Sequence, residues 1–187
     1  MSTSLITGAT GFIGQRLIHA IEGKIKVLSR KQHPTHNTIV CDLSKESILN
    51  SDLDDVSAVY YLAGIAHDTD EAYRHTDKYQ KVNVDAMIKL ANIATKSGVK
   101  KFIYISSVKA GGGSSVGKCI DELSQCSPKD IYGISKREAE LKLLQIGQEF
   151  DIHVSIIRPS LVYGPNVGGN LQLMIGAIKK GSFPPLP

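Results

Sequence analysis

Leu5-Ile6-Thr7-Gly8-Ala9-Thr10-Gly11-Phe12-Ile13-Gly14 is the stretch that decides the fold. An apolar run ends at a threonine, glycines follow at every third position, and an amphipathic pattern begins at Phe12. That order reads as strand, tight turn and helix. Gly8 suits the turn, Gly11 lets the backbone approach an anion closely, and Gly14 lets the helix pack on the strand. The helix N-terminus then offers unpaired N–H groups and a partial positive charge, which is how a pyrophosphate is held. Gly8, Thr10, Gly11, Phe12, Ile13 and Gly14 therefore form a candidate dinucleotide loop.

Short apolar runs alternate with helical patterns along the rest of the chain, as in strands joined by crossover helices. Strands are predicted at 4–7, 25–29, 38–40, 58–62, 101–106 and 154–158, and helices at 12–22, 77–97 and 131–150. Val82, Met87, Leu90, Ile93 and Ala94 supply a buried stripe for the second helix, with Gly98 closing it. A shorter helix is expected over 44–49, with Ser44 as its N-cap. The fold class is α/β, a doubly wound parallel sheet of the Rossmann-like kind.

A chain of 187 residues, 42% of them apolar, buries roughly 70% of its unfolded surface and needs no staples. Cys41, Cys119 and Cys126 form no C-x-x-C pair and stand beside no ligand-spaced histidine, so no metal site and a reducing, cytoplasmic setting are expected. The formal charge of +4 is scattered, which argues against a nucleic-acid groove. No apolar run approaches the length of about eighteen residues that a membrane helix requires, so no membrane partner is expected.

About twenty residues past the glycines, a site built for NAD usually offers a carboxylate to the ribose diol. This chain offers Ser29-Arg30-Lys31-Gln32 instead. A hydroxyl beside a guanidinium suits a 2′-phosphate, and with no acid in that stretch NADP is favoured over NAD. Asp42, followed by Leu43, is placed either to accept from an adenine amino group or to cap the helix after it.

Tyr132-Gly133-Ile134-Ser135-Lys136 opens a helix and sets Tyr132 and Lys136 one turn apart on one face. Ser106-Ser107 stands at the carboxyl end of the fifth strand, where ligands sit in open α/β sheets. Taking a proton from a hydroxyl while hydride leaves its carbon needs a base poised near pH 7, whereas tyrosine titrates at about 10. The difference is about 4 kcal/mol, approximately what one ammonium about 4 Å away supplies at an effective dielectric near 20. Lys136 can supply it, and Ser107 can hold the reacting oxygen in line.

Together these residues resemble the extended short-chain dehydrogenase/reductases, of the NAD-dependent epimerase/dehydratase type that acts on nucleotide sugars. Residues 7–14 look like the family's cofactor loop, Tyr61-Leu62-Ala63-Gly64 its H-x-A-A stretch and Asn83-Val84-Asp85 its N-V-x motif. Ser106-Ser107, Tyr132 with Lys136, and Arg158-Pro159-Ser160-Leu161-Val162-Tyr163-Gly164-Pro165 resemble its S-S, active-site and R-P-x-x-V-Y-G-P motifs. The resemblance implies catalysis by Ser107, Tyr132 and Lys136. It implies cofactor contacts from Leu62, Ala63, Gly64, Asn83, Tyr132, Lys136 and Pro159 besides the loop, Ser29, Arg30, Asp42 and Leu43. Substrate contacts fall to Ser107, Lys109 and Asn170.

The sugar-dehydrating branch carries an acid pair directly after the active-site serine or threonine, where this chain has Val108-Lys109. The run 105–109 looks most like a branch linked to surface-polysaccharide synthesis, acting as 4-epimerases or reductases on UDP sugars, with a homodimer as an expected assembly. A redox sensor that binds NADP without turnover is the alternative reading. The family's chains continue past this end, so residues 1–165 are expected to form the dinucleotide-binding domain and 166–187 the start of a small, interrupted substrate lobe.

Overall fold

Every residue of strand β1 (Thr3–Thr7) is buried, the mark of a central parallel strand covered on both faces. The computed structural model describes residues 2–66, 76–112 and 121–182. Gly113, Ser114, Ser115 and Cys119 lie outside that set, as does the proline-rich end from Phe183.

Five further strands follow: β2 (Lys24–Ser29), β3 (Asn37–Val40), β4 (Val56–Tyr61), β5 (Lys101–Ile105) and β6 (His153–Ile157). All pair in parallel in the order β3-β2-β1-β4-β5-β6. The order reverses between β1 and β4, so the carboxyl ends of those two strands open a crevice there. Thr7 Oγ1 closes the crevice floor by accepting from the backbone N–H groups of Leu62 and Ala63 at 3.1 and 3.0 Å.

Alternate strand residues feed two cores. Leu5, Leu28, Val59, Phe102 and Tyr104 pack beneath helices α3 (Ala86–Lys96) and α4 (Ile131–Glu149), while Ile6 and Val27 pack with Ile18 of α1 (Phe12–Ala20). Each fully buried Leu, Ile or Phe contributes about 1.5–3 kcal/mol. Helix α5 (Gly169–Lys179) stays largely exposed, with Leu173 at 72%.

The single helix predicted over 77–97 is interrupted. It begins as α2 (Thr76–Tyr79), passes through a π-helical stretch (Gln80–Asp85) and resumes as α3. The wider turn moves the apolar register, so Val84 rather than Val82 enters the core ahead of Met87 and Leu90. Gly98 closes α3 as expected: it adopts φ +74°, and Val99 N–H bonds back to the Ala94 carbonyl in a Schellman turn.

The helix expected over 44–49 does not form. Ser44, its intended cap, gives its N–H and hydroxyl to Asp42 Oδ1 at 3.1 and 2.6 Å. Lys89 Nζ then takes the Leu43 and Glu46 carbonyls at 3.0 and 2.7 Å, acceptors that a continuing helix would need. A single turn results, followed by a short 3-10 turn at Asn50–Leu53.

Candidate active site

The glycine loop has the form its sequence implies. Gly8 adopts φ +68°, and a Cβ there would stand 2.9 Å from the backbone of Leu62 and Ala63. A Cβ on Gly14 would overlap the Gly8 carbonyl oxygen and lie 2.8 Å from Ala9 Cα, so α1 rests on the turn itself. At Gly11 only the Gly8 oxygen comes near, at 3.2 Å, leaving its outer side open. Gly11 is also the N-cap of α1, no side chain caps that end, and the first turn holds no acid. Open backbone donors beside a cradle that a side chain would fill are the donor set a pyrophosphate needs.

Arg16 of α1 stacks on Phe12, 3.9 Å from the ring centroid, and donates to the Phe12 and Pro165 carbonyls. The phosphate loop is thereby tied to the segment after β6. At the end of β2, Arg30 is exposed, but Asp42 lies within its electrostatic reach: a bond from Ser44 and the nearby Lys45 and Arg30 hold the Asp42 carboxyl below its usual range. The expectation that Arg30 has no acidic neighbour is thus corrected. β2 and β3 are adjacent strands, and Cys41 N–H bonds to the Ser29 carbonyl, which brings Asp42 back alongside. Asp42 caps its own turn, and Leu43 is buried in the core.

Around the ends of β4 and β5 the remaining candidates converge. Asn83, 1% exposed, accepts from Ile65 N–H at 2.9 Å and donates to the Ile65 carbonyl and Ser135 Oγ, each at 3.1 Å. Gly64 lies between Asn83 and Lys136: a Cβ on it would be 3.0 Å from Asn83 Oδ1 and 3.4 Å from Lys136 Nζ. Lys136 Nζ donates to the Ile105 carbonyl at 3.1 Å. Ser107 caps a 3-10 turn (Val108–Gly111), and the Pro159 carbonyl accepts from Val108 N–H at 3.1 Å, joining the exits of β5 and β6.

Helix α4 is aimed by Asp130, whose Oδ1 accepts from Gly133 N–H at 2.7 Å and whose Oδ2 pairs with Lys109 at 2.8 Å. Gly133 is required because a Cβ there would stand 2.5 Å from the Lys109 carbonyl oxygen. Lys109, expected to meet substrate, is therefore engaged at the N-cap of α4, with its ammonium 5.9 Å from the Tyr132 ring. The side chain of Asn170 lies outside the described residues.

Burial raises the Tyr132 phenol above its ordinary value, opposed by a hydrogen bond from Ser107 and by the charge of Lys109. The cation expected to act on the phenol was Lys136. Lys136 Nζ lies 5.9 Å from the Tyr132 ring centroid, the same distance as Lys109 Nζ, and 4.7 Å from the Tyr104 ring. Lys136 is 4% exposed, and burial brings its ammonium down to about 8, with Glu140 opposing the fall. A half-buried phenol, a hydroxyl beside it and a buried ammonium one turn away can pass a proton to or from a bound oxygen.

The buried ammonium carries a stability consequence. The unfolded chain holds this proton up to about 10.5 and the folded chain only to about 8. Between those values the unfolded state binds more protons, so stability rises with pH; below 8 the whole penalty is present, about 3 kcal/mol. Lys136→Met should therefore be more stable than the parent at pH 7 by up to about that amount, with the advantage disappearing as pH rises from 8 towards 10.5. Urea unfolding across that range measures it. A pH-independent difference between the two proteins would contradict the buried charge.

Residues 4–186 match the NAD dependent epimerase/dehydratase family. The UDP-glucose 4-epimerase of Vibrio cholerae is 36% identical over 193 aligned positions, covering 98% of this chain and 58% of that protein. The chain spans about half the length of the curated relatives it matches. Among solved structures, MoeE5 in complex with UDP-glucose and NAD superposes with a TM-score of 0.83 at 26% identity, covering 96% of this chain and 62% of that one. The UDP-glucuronic acid 4-epimerase of Bacillus cereus in complex with NAD shares the fold, with a TM-score of 0.81 at 23% identity over 95% of this chain and 63% of its own.

Proposed function

The chain belongs to the NAD dependent epimerase/dehydratase family, and from that premise we propose that it acts as a nicotinamide-dependent 4-epimerase of a UDP sugar. The observation that carries this reading is the convergence of Ser107, Tyr132 and Lys136 at the carboxyl end of β5, beside an open glycine loop. When bound, the nicotinamide supplies a hydride acceptor and donor for the sugar carbon.

The chain's own residues do the rest. The backbone N–H groups from Phe12 to Gly14 bind the pyrophosphate, and Leu62, Ala63 and Gly64 form the wall beside it. Asn83 holds the Ile65 backbone and, through Ser135, the face of α4 that carries Lys136. Ser107 donates to the C4 oxygen and fixes its position. Tyr132 takes the proton of the C4 hydroxyl and returns it to the C4 oxygen, and the Lys136 ammonium stabilises the phenolate. The place directly after Ser107 holds Val108 and a Lys109 already paired with Asp130, so the acid pair of a sugar dehydratase is missing there.

Incubation with NAD or NADP and UDP-glucose or UDP-glucuronic acid, with product analysis at C4 by proton NMR, tests the reading. Inversion at C4 supports it; loss of the C6 oxygen would overturn it in favour of dehydration.

For the cofactor, Arg30 at the exit of β2 supports a preference for NADP, since a guanidinium pairs with a 2′-phosphate in bidentate fashion. Calorimetric titration should give tighter binding of NADP than of NAD, and Arg30→Gln should remove the difference. Tighter NAD binding by the parent would assign Arg30 to Asp42 instead.

A further inference from the structure

Glu140 stands one turn beyond Lys136 on α4 and has no exposed surface. A carboxylate buried in this way is destabilising unless its oxygens are fully engaged. Here they are. Ser106 Oγ donates to Oε1 at 2.6 Å, Arg158 grips both oxygens through Nε at 2.8 Å and Nη2 at 2.6 Å, and Arg137 Nη1 reaches Oε2 at 3.0 Å. Burial pushes the carboxyl up, but the bonds from Arg158, Ser106 and Arg137 outweigh it and hold the group below its usual range.

Two features connect this cluster to the site. Ser106 precedes Ser107 at the end of β5, so its bond to Glu140 ties the backbone that presents Ser107 to the helix that presents Tyr132 and Lys136. The second feature is charge. One carboxylate faces three cations: Arg158, Arg137 and Lys136. Around Lys136 stand Tyr132 and Glu140 from its own helix, Tyr104 and the Ile105 carbonyl from β5, Gly64 after β4, and Asn83 from the π-helical stretch. Among these groups Glu140 is the only carboxylate. Asp130 and Lys109 pair with each other over Tyr132.

We propose that Glu140 is a positioning residue for the Ser107–Tyr132–Lys136 site, tying Ser106 to α4 and keeping the Lys136 ammonium charged inside the protein. The part concerning turnover rests on the reading of Lys136 as the partner of Tyr132; the charge state of Lys136 is measured separately. Guanidinium groups do not release their proton in proteins, whereas a buried lysine does. Removing the carboxylate therefore leaves three cations together, and Lys136 is the one that discharges.

In protein labelled with carbon-13 lysine, the Lys136 resonance is assigned by its loss in Lys136→Met, and its titration is followed by NMR. The parent midpoint is expected near 8, and Glu140→Gln is expected to lower it by about one unit, a tenfold loss of ammonium above the new midpoint. Glu140→Asp, which retains the charge, should keep the midpoint close to the parent's, and Ser106→Ala should weaken folding without moving it. Arg137→Gln removes a partly exposed competitor for the same carboxylate, so it should raise the midpoint and provides the test if Glu140→Gln does not fold. In turnover assays Glu140→Gln should lower kcat more than it changes KM and move the alkaline limb of the pH profile down. A Lys136 midpoint unmoved by Glu140→Gln, or by Arg137→Gln where the first cannot be measured, overturns the proposal whatever the activity. A moved midpoint with unchanged turnover supports the role of Glu140 and overturns instead the role given to Lys136.

Discussion

Tyr132→Phe is expected to lower turnover by about a hundredfold to ten-thousandfold, the range for losing a positioned proton-transfer group. Dinucleotide affinity should stay within about twofold, because the phenol oxygen is the only atom removed and the ring still packs edge-on against Tyr79 at 6.4 Å. The pH dependence follows from the groups around the phenol. Burial raises it and Lys109 opposes that rise, so Lys109→Met should push the ascending limb of kcat to higher pH. With Lys136 in the proposed role, loss of its proton near 8 should bound activity on the alkaline side. Full turnover by Tyr132→Phe would remove Tyr132 from the mechanism and favour a protein that binds dinucleotide without reaction.

Gly14→Ala is expected to destabilise the protein by about 3 kcal/mol or more, a large share of the whole stability of a domain. The added methyl meets the Gly8 carbonyl and the Ala9 backbone, which cannot swing aside as a side chain can. Gly11→Ala provides the contrast. Its methyl meets only the Gly8 oxygen, at 3.2 Å, so the fold should survive with a loss below about 1 kcal/mol. Dinucleotide binding by Gly11→Ala should nevertheless fall at least about tenfold, since the methyl projects into the space through which the pyrophosphate approaches. Urea unfolding and calorimetry on the two variants separate scaffold from site. Equal stability losses in both would show that the loop is not the rigid seat described here, and unchanged affinity in Gly11→Ala would move the pyrophosphate elsewhere.

Strand and helix types were legible along most of the chain because buried parallel strands are nearly continuous in Ile, Val and Leu, and that signal is local. The failures arise where a contact or a register shift is not carried by the local pattern. Ser44 offers the pattern of an N-cap, yet Asp42 captures its hydroxyl and Lys89, distant in sequence, captures the carbonyls a helix would use. Asn83 sits in a π-helical stretch that no period of 3.6 announces, and the extra residue there is what sends Val84 inward. No carboxylate stands beside Arg30 along the chain, and the one within its electrostatic reach, Asp42, arrives from the neighbouring strand.

The parallel sheet, the glycine turn and the one-turn spacing of Tyr132 and Lys136 are each written in residues a few positions apart. How those residues are charged depends on packing between segments far apart along the chain. That packing placed Lys109 as well as Lys136 5.9 Å from the Tyr132 ring and buried the Lys136 ammonium. It also brought Glu140, Arg158 and Ser106 together behind the site from α4, the segment after β6 and the end of β5. The physical reason is range. Backbone conformation answers to neighbours along the chain, whereas desolvation and Coulomb interaction answer to whatever packing brings within a few ångströms, and that is fixed only when the sheet has closed over its helices.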